Sequence, residues 1–217
     1  MNIQQLFADF CKELRQRNGR MTEDNIRYYW FAKMLNQDGV LNNYTLECPY
    51  SNQSSVFASN SKSKKELDLW YENLQNNQCL SFEIKFHRNP TKSTFPHTAA
   101  AGKIFNDLLR LSCLCPSRRL FLYVTDCEMD GYLNYTGQDP YRKNLHDFYQ
   151  LQPGAIWTCK WNNVRKTFTK SALSGFTSIV KLSCVPPVKL LCKADFPISS
   201  ISFKGEQCFV RLYEVVD

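Results

Sequence analysis

No stretch of this 217-residue chain is long and apolar enough to span a bilayer, which excludes a helical transmembrane protein. The opening MNIQQLFADFCKELRQRN lacks the apolar stretch and small-residue cleavage site of a secretory signal, and reads instead as an amphipathic helix. Ten cysteines are present but scattered, so reduced thiols and a cytoplasmic location are expected rather than a secreted disulfide framework. Cys113 and Cys115 form the one close pair; they lack CxxC spacing and a second Cys/His pair at zinc-site distance, which points to buried packing. Neither an internal repeat nor a linker divides the chain, so one domain over residues 1–217 is expected.

Hydrophobic residues make up 43% of the sequence and aromatics 14%, enough for a packed core, and charged residues stand at 22%. That excludes a disordered chain. A formal charge of +7 inclines the partner expectation towards a polyanion such as nucleic acid.

Along the chain, Ile3, Leu6, Phe7, Phe10 and Leu14 recur at helical spacing, and Asn18-Gly19 ends that helix. A second helix is expected from an N-cap at Thr22, with Glu23 and Asp24 in its first turn, to about Asn36, closed by Asp38-Gly39. YTLECPY alternates like a short strand, and the polar SNQSSVFASNSKSKK behind it has loop composition. ELDLWYE and CLSFEIKFH, joined by LQNNQ, read as strand, turn and strand. RNPTKSTFPHT is a loop, AAAGKIFNDLLRLSCLC a helix, and RRLFLYVTD a strand buried on both faces. Helical or irregular segments follow through EMDGYLNY and DPYRKNLHDFYQL, and strand-like segments resume beyond Gly154 in AIWTCKW, SIVKLSCV and QCFVRLYEVV. The fold class is mixed α/β.

The chemistry gathers on the paired strands. Period-2 alternation in CLSFEIKFH sets Phe82, Ile84 and Phe86 on one face and Glu83, Lys85 and His87 on the other. In the strand before it, Leu67 and Leu69 share one face, and Glu66 and Asp68 the other. A hairpin would bring Asp68 near Glu83. Two carboxylates so placed repel unless a cation lies between them, so the pair makes sense as a Mg²⁺ site, and a metal-free protein would be strained there. Lys85 could orient the attacking water or stabilise charge growing on a phosphate. A solvated strand face with cross-strand charge pairs is the bland alternative.

Asp68 in ELDLW, Glu83-Ile84-Lys85 in SFEIKFHR, the helix GKIFNDLLRL and the strand RRLFLYVTD together resemble the PD-(D/E)xK nuclease superfamily. The resemblance covers about Thr22 to Asp126, and no proline precedes Asp68. It implies a restriction-endonuclease-like core at about 22–126, ordered αβββαβ, with a strand-rich C-terminal elaboration at about 150–217. It also implies Asp68 and Glu83 as metal ligands, Lys85 as the catalytic lysine, Mg²⁺ as cofactor and Mn²⁺ as its substitute. An acidic residue from the first core helix belongs to the same pattern. Glu23 is the choice, Glu47 in TLECPY is a rival, and helix capping is another explanation of Glu23.

Lys103, Asp107 and Arg110 fall at i, i+4 and i+7 as one polar stripe, either an exposed salt-bridged face or a phosphate-contacting one. His87 and Arg88, at the exit of the motif strand, are candidates with Lys103 and Arg110 for contacts to a nucleic-acid backbone. The expected function is Mg²⁺-dependent hydrolysis of DNA, in restriction or defence. The alternative is an inactive nuclease-like module of a mobile element that binds nucleic acid or a protein. RNA as substrate, and a homodimer built through the C-terminal third, both stay open.

Overall fold

The computed structural model describes residues 1–16, 21–50, 66–88, 97–114, 118–135, 140–159, 185–197 and 207–217. The expected loops at 51–65 and 89–96, the SIVKLSCV segment up to residue 184, the Asn18-Gly19 helix end and Cys115 lie outside the described residues. Among the described residues, five α-helices and seven strands run in the order α1 (Ile3–Gln16), α2 (Glu23–Asp38), β1 (Tyr44–Pro49), β2 (Glu66–Asn73), β3 (Gln78–His87), α3 (His97–Ser112), β4 (Arg118–Asp126), α4 (Cys127–Asn134), α5 (Pro140–Tyr149), β5 (Ile156–Cys159), β6 (Val185–Pro197) and β7 (Gln207–Val215). None of the described helices is long and apolar enough to cross a membrane. The described cysteines carry free thiols.

All seven strands form one sheet in the order β1-β2-β3-β4-β7-β6-β5. β3 and β4 run parallel, joined through α3, and the other neighbours are antiparallel. The C-terminal strands do not form a separate layer: β7 pairs with β4 along its length and carries β6 and β5 outward on the same sheet.

Amphipathic patterning determines which helix covers which face. Leu6, Phe7, Phe10 and Leu14 of α1, with Ile26, Trp30 and Met34 of α2, bury against Leu69, Phe82, Ile84, Phe86, Leu122 and Val210. Ala101, Ile104, Phe105 and Leu108 of α3 pack on the opposite face, with Phe121, Tyr123, Tyr213 and residues of α4 and α5. The apolar positions expected of β3 therefore all face α1 and α2, which turns Glu83, Lys85 and His87 towards α3.

Helix α2 is fixed at both ends and in the middle. Thr22 accepts from the Asn25 N–H while the Asn25 side chain accepts from the Thr22 N–H, a reciprocal cap that starts the helix where its sequence predicts. At the other end Gly39, with φ of 74°, takes the left-handed conformation that side chains disfavour, and its N–H donates to the Leu35 carbonyl. Between them Trp30 stands edge-on to Phe10 at 5.2 Å and to Phe82 at 5.6 Å, locking α2 onto β3. This seating delivers the first turn of α2 to the motif strand.

Candidate active site

The strict alternation expected of β2 breaks at Asp68. Leu69 and Tyr71 pack on the α1/α2 side, as alternation requires, but Leu67 joins Trp70 in the core on the α3 side. The break has a partner in β1. Glu47, between Leu46 (opposite Leu69) and Cys48 (opposite Leu67), has a φ of 51°, a left-handed value unusual within a strand. Leu67 and Leu69 therefore do not share a face, and Asp68 lies between them.

β2 also leaves β3 at this point. Paired residues run from Asn73 opposite Gln78 to Leu69 opposite Phe82 and no further. Beyond the parting, side chains replace the strand as acceptors: Asp68 Oδ2 accepts the Ile84 N–H at 2.6 Å, and Glu23 Oε2 accepts the Phe86 N–H at 3.1 Å. Both backbone donors are thereby satisfied by carboxylates. The first residue of α2 does more than favour the helix dipole, since Glu23 Oε1 also lies 3.2 Å from Lys85 Nζ. Its rival Glu47 is exposed and pairs with Arg27 at 3.3 Å.

Three cations stand among these acids. Arg27 Nη2 is 2.7 Å from Asp68 Oδ1. Arg110 Nη2 lies 3.2 Å from Glu83 Oε1 and pairs with Asp107 Oδ1, while its guanidinium sits 5.4 Å from the Tyr50 ring. The Tyr50 hydroxyl donates to Glu83 Oε1. Lys85 Nζ is 4.0 Å from Asp107 Oδ2. Guanidinium groups thus stand beside Asp68 and Glu83, and they oppose without cancelling the burial that disfavours the charged carboxylates.

Burial sets the electrostatics. It pushes the Asp68 carboxyl above its ordinary range, against the pull of Arg27 and of the Ile84 hydrogen bond. Glu83 is pushed well above that range, chiefly by burial and further by the charges of Asp107 and Asp68, with Arg110 opposing. Tyr50 is likewise raised by burial, then by Glu83, and stays a neutral donor. For Lys85 burial disfavours the charge, but Asp107, Glu23, Glu83 and Asp68 outweigh it, so the amine is held as an ammonium.

Asp68, Glu83, Lys85 and Glu23 are therefore brought together, and the proposed backbone-contacting residues divide. His87 is corrected. It is buried, its Nδ1 lies 2.9 Å from the Tyr123 hydroxyl, and burial lowers its pKa to about 3, so it is a neutral interior residue and not a contact for a phosphate backbone. Arg110 is corrected too, since it turns inward to Glu83 and Asp107. Lys103 is exposed on α3, and Arg88 is half-buried with its guanidinium 5.9 Å from the Phe86 ring. The stripe Lys103, Asp107, Arg110 is consequently not one surface: its last two members line the site.

Sequence reasoning missed Arg27 and Tyr50. Arg27 was legible as the residue one helical turn after Glu23, hence on the same side of α2. Tyr50 follows the end of β1 and carries no local signal of its role.

The donors are all oxygens, which suits a hard cation such as Mg²⁺. Asp107 Oδ2 is buried without a hydrogen bond, and the raised Glu83 carboxyl is a group that a divalent cation would bring back to its charged form. Among the described residues, however, no three His, Cys, Asp or Glu side chains are grouped to hold a metal ion. The fit therefore rests on Asp68 and Glu83 with water and substrate oxygens, and it requires Arg27 and Arg110 to give way. No protein-family model, curated protein or solved structure matches this chain.

Proposed function

We propose that this chain is a divalent-metal-dependent endonuclease hydrolysing DNA phosphodiester bonds, with a restriction-endonuclease-like core running from α2 to β4. The observation that supports this reading most is the convergence of Asp68, Glu83 and Lys85 where β2 and β3 part, joined there by Glu23 from α2. The run of helix, three strands, helix and a fourth strand parallel to the third agrees with it. So does the charge of +7, which favours a polyanionic substrate. Restriction or defence is the role we assign to such an activity.

Asp68 and Glu83 would hold the ion, Mg²⁺ or Mn²⁺ in its place. When bound, it supplies Lewis acidity at a phosphate oxygen and lowers the pKa of its water. The chain's own residues do the rest. Lys85, kept cationic, meets the negative charge that builds on the phosphate. Glu23 holds that ammonium and the Phe86 N–H together. Tyr50 fixes the Glu83 carboxylate through one oxygen. Arg27 and Arg110 partner the acids in the resting protein and would give way to the ion.

Incubation of purified protein with supercoiled plasmid and millimolar Mg²⁺, against an EDTA control, tests the reading. Glu83→Gln and Lys85→Ala should each lower the cleavage rate by about a hundredfold or more. If either variant cuts at the wild-type rate, the site assignment fails. A second reading, an inactive nuclease-like module of a mobile element that binds nucleic acid or a partner protein, is favoured by one observation: both acids already have guanidinium partners. It predicts either salt-sensitive nucleic-acid binding or none, and in both cases no cleavage of DNA or RNA with either metal.

A further inference from the structure

Asp107 has no part in the motif, yet among the described residues it is one of the most deeply buried charged groups, its side chain only 3% exposed. One carboxylate oxygen, Oδ1, accepts from Arg110. The other, Oδ2, has no hydrogen bond and lies 4.0 Å from Lys85 Nζ. A buried carboxylate with a free oxygen is costly unless its charge is used. Helix α3 is seated by Ile104, Phe105 and Leu108 on either side of Asp107, so its position is dictated by packing and not by the ion pair.

We infer that Asp107 is the positioning residue of the site, a buried counter-ion that holds the ammonium of Lys85 and the guanidinium of Arg110 side by side facing Glu83. Arg110 reaches Glu83 and Asp107 with the same Nη2 atom, and Lys85 projects from the same strand face as Glu83. The carboxylate thus ties Lys85 and Arg110 together. The groups facing Lys85 are Glu23 from α2, Asp68 from β2, Asp107 from α3, and Glu83 and His87 on its own strand. Glu23 is nearer at 3.2 Å but its side chain is 33% exposed, so water screens it; Asp107 is farther but dry. Burial should decide in favour of Asp107. The term catalytic for Lys85 rests on the nuclease reading, whereas the pairing itself does not.

The test is a double-mutant cycle in metal-free, substrate-free protein, read as denaturant unfolding at pH 7. Asp107→Asn removes the charge but keeps an oxygen for Arg110. Asp107→Asn and Lys85→Met should each lower the unfolding midpoint, and the double variant should lose less than the two single losses together, because neither partner is then left buried without the other. The same cycle between Glu23→Gln and Lys85→Met should show a smaller coupling. Additive losses in the Asp107 cycle, or a larger coupling in the Glu23 cycle, overturn the inference. If Asp107→Asn does not fold, Lys85→Met/Asp107→Asn decides: recovery of folded protein upholds the pairing, and continued unfolding overturns it. A coupling in a protein that cuts no plasmid would keep this inference and remove the nuclease reading. An active enzyme with additive losses would do the reverse.

Discussion

The carboxylate of Asp68 accepts the backbone N–H of Ile84 at 2.6 Å, in the place where β2 would have supplied a carbonyl had the two strands stayed paired. One residue pair thereby marks both the end of the ladder and the start of the site. The same oxygen pair also serves Arg27, so Asp68 carries a structural and an electrostatic duty on separate atoms.

Those duties separate by substitution. Asp68→Asn keeps an acceptor for Ile84, while Asp68→Ala leaves a buried N–H unsatisfied. Denaturant unfolding of the metal-free variants should find Asp68→Ala less stable than Asp68→Asn by about 1–3 kcal/mol. Both variants should lose the stabilisation that millimolar Mg²⁺ gives wild type by binding the folded state. Equal stability of the two variants would show that the Ile84 contact contributes nothing.

Glu83 sets a pH dependence of definite sign. Burial, then the charges of Asp107 and Asp68, raise its folded pKa above the unfolded value of about 4.3. The folded state therefore binds more protons in that window, and stability falls as pH rises from the unfolded value towards the folded one. Asp68, raised by burial, acts in the same direction. Glu83→Gln cannot titrate, so across pH 4.5 to 7 its melting temperature should gain on that of metal-free wild type, while cleavage is lost. Thermal melts at several pH values decide it, and a wild type that gains on the variant as pH rises would contradict the assignment.

The fold was legible where one physical rule dominates. Apolar spacing marks α1 and β4, the Thr22 cap and Gly39 bound α2, and alternation in β3 separates Phe82, Ile84 and Phe86 from Glu83 and Lys85. What local pattern hides is any departure from ideal geometry. Leu67 and Leu69 fall on opposite faces beside the left-handed Glu47, and nothing in ELDLW announces it. Pairing across the chain is equally silent. That Tyr50 would reach Glu83, that Arg110 would turn inward, or that β7 would insert beside β4 depends on how whole elements dock.

His87 provides the last prediction, because its surroundings reverse the role its sequence position suggests. On the same strand face as Lys85, it is buried with Nδ1 2.9 Å from the Tyr123 hydroxyl, and burial, followed by the charges of Lys85 and Lys103, lowers its pKa to about 3. The unfolded chain has an ordinary imidazole of about 6.5. Between those values the unfolded state binds the extra proton, so the stability His87 gives is complete above about pH 6.5 and is lost as pH falls towards about 3. Each unit in that window corresponds to about 1.4 kcal/mol, so the full effect is a few kcal/mol. His87→Gln keeps a polar atom for Tyr123 and cannot titrate. Urea unfolding at pH 7 and pH 4.5 should show wild type losing more stability on acidification than the variant, a difference in which the titrations of Asp68 and Glu83 largely cancel. Nucleic-acid affinity at pH 7 should be unchanged by this substitution, whereas Lys103→Ala, at an exposed position on α3, should weaken it. A variant that tracks wild type at both pH values would mean the imidazole is already charged and solvated. A marked loss of affinity in His87→Gln, with stability intact, would return His87 to the nucleic-acid surface.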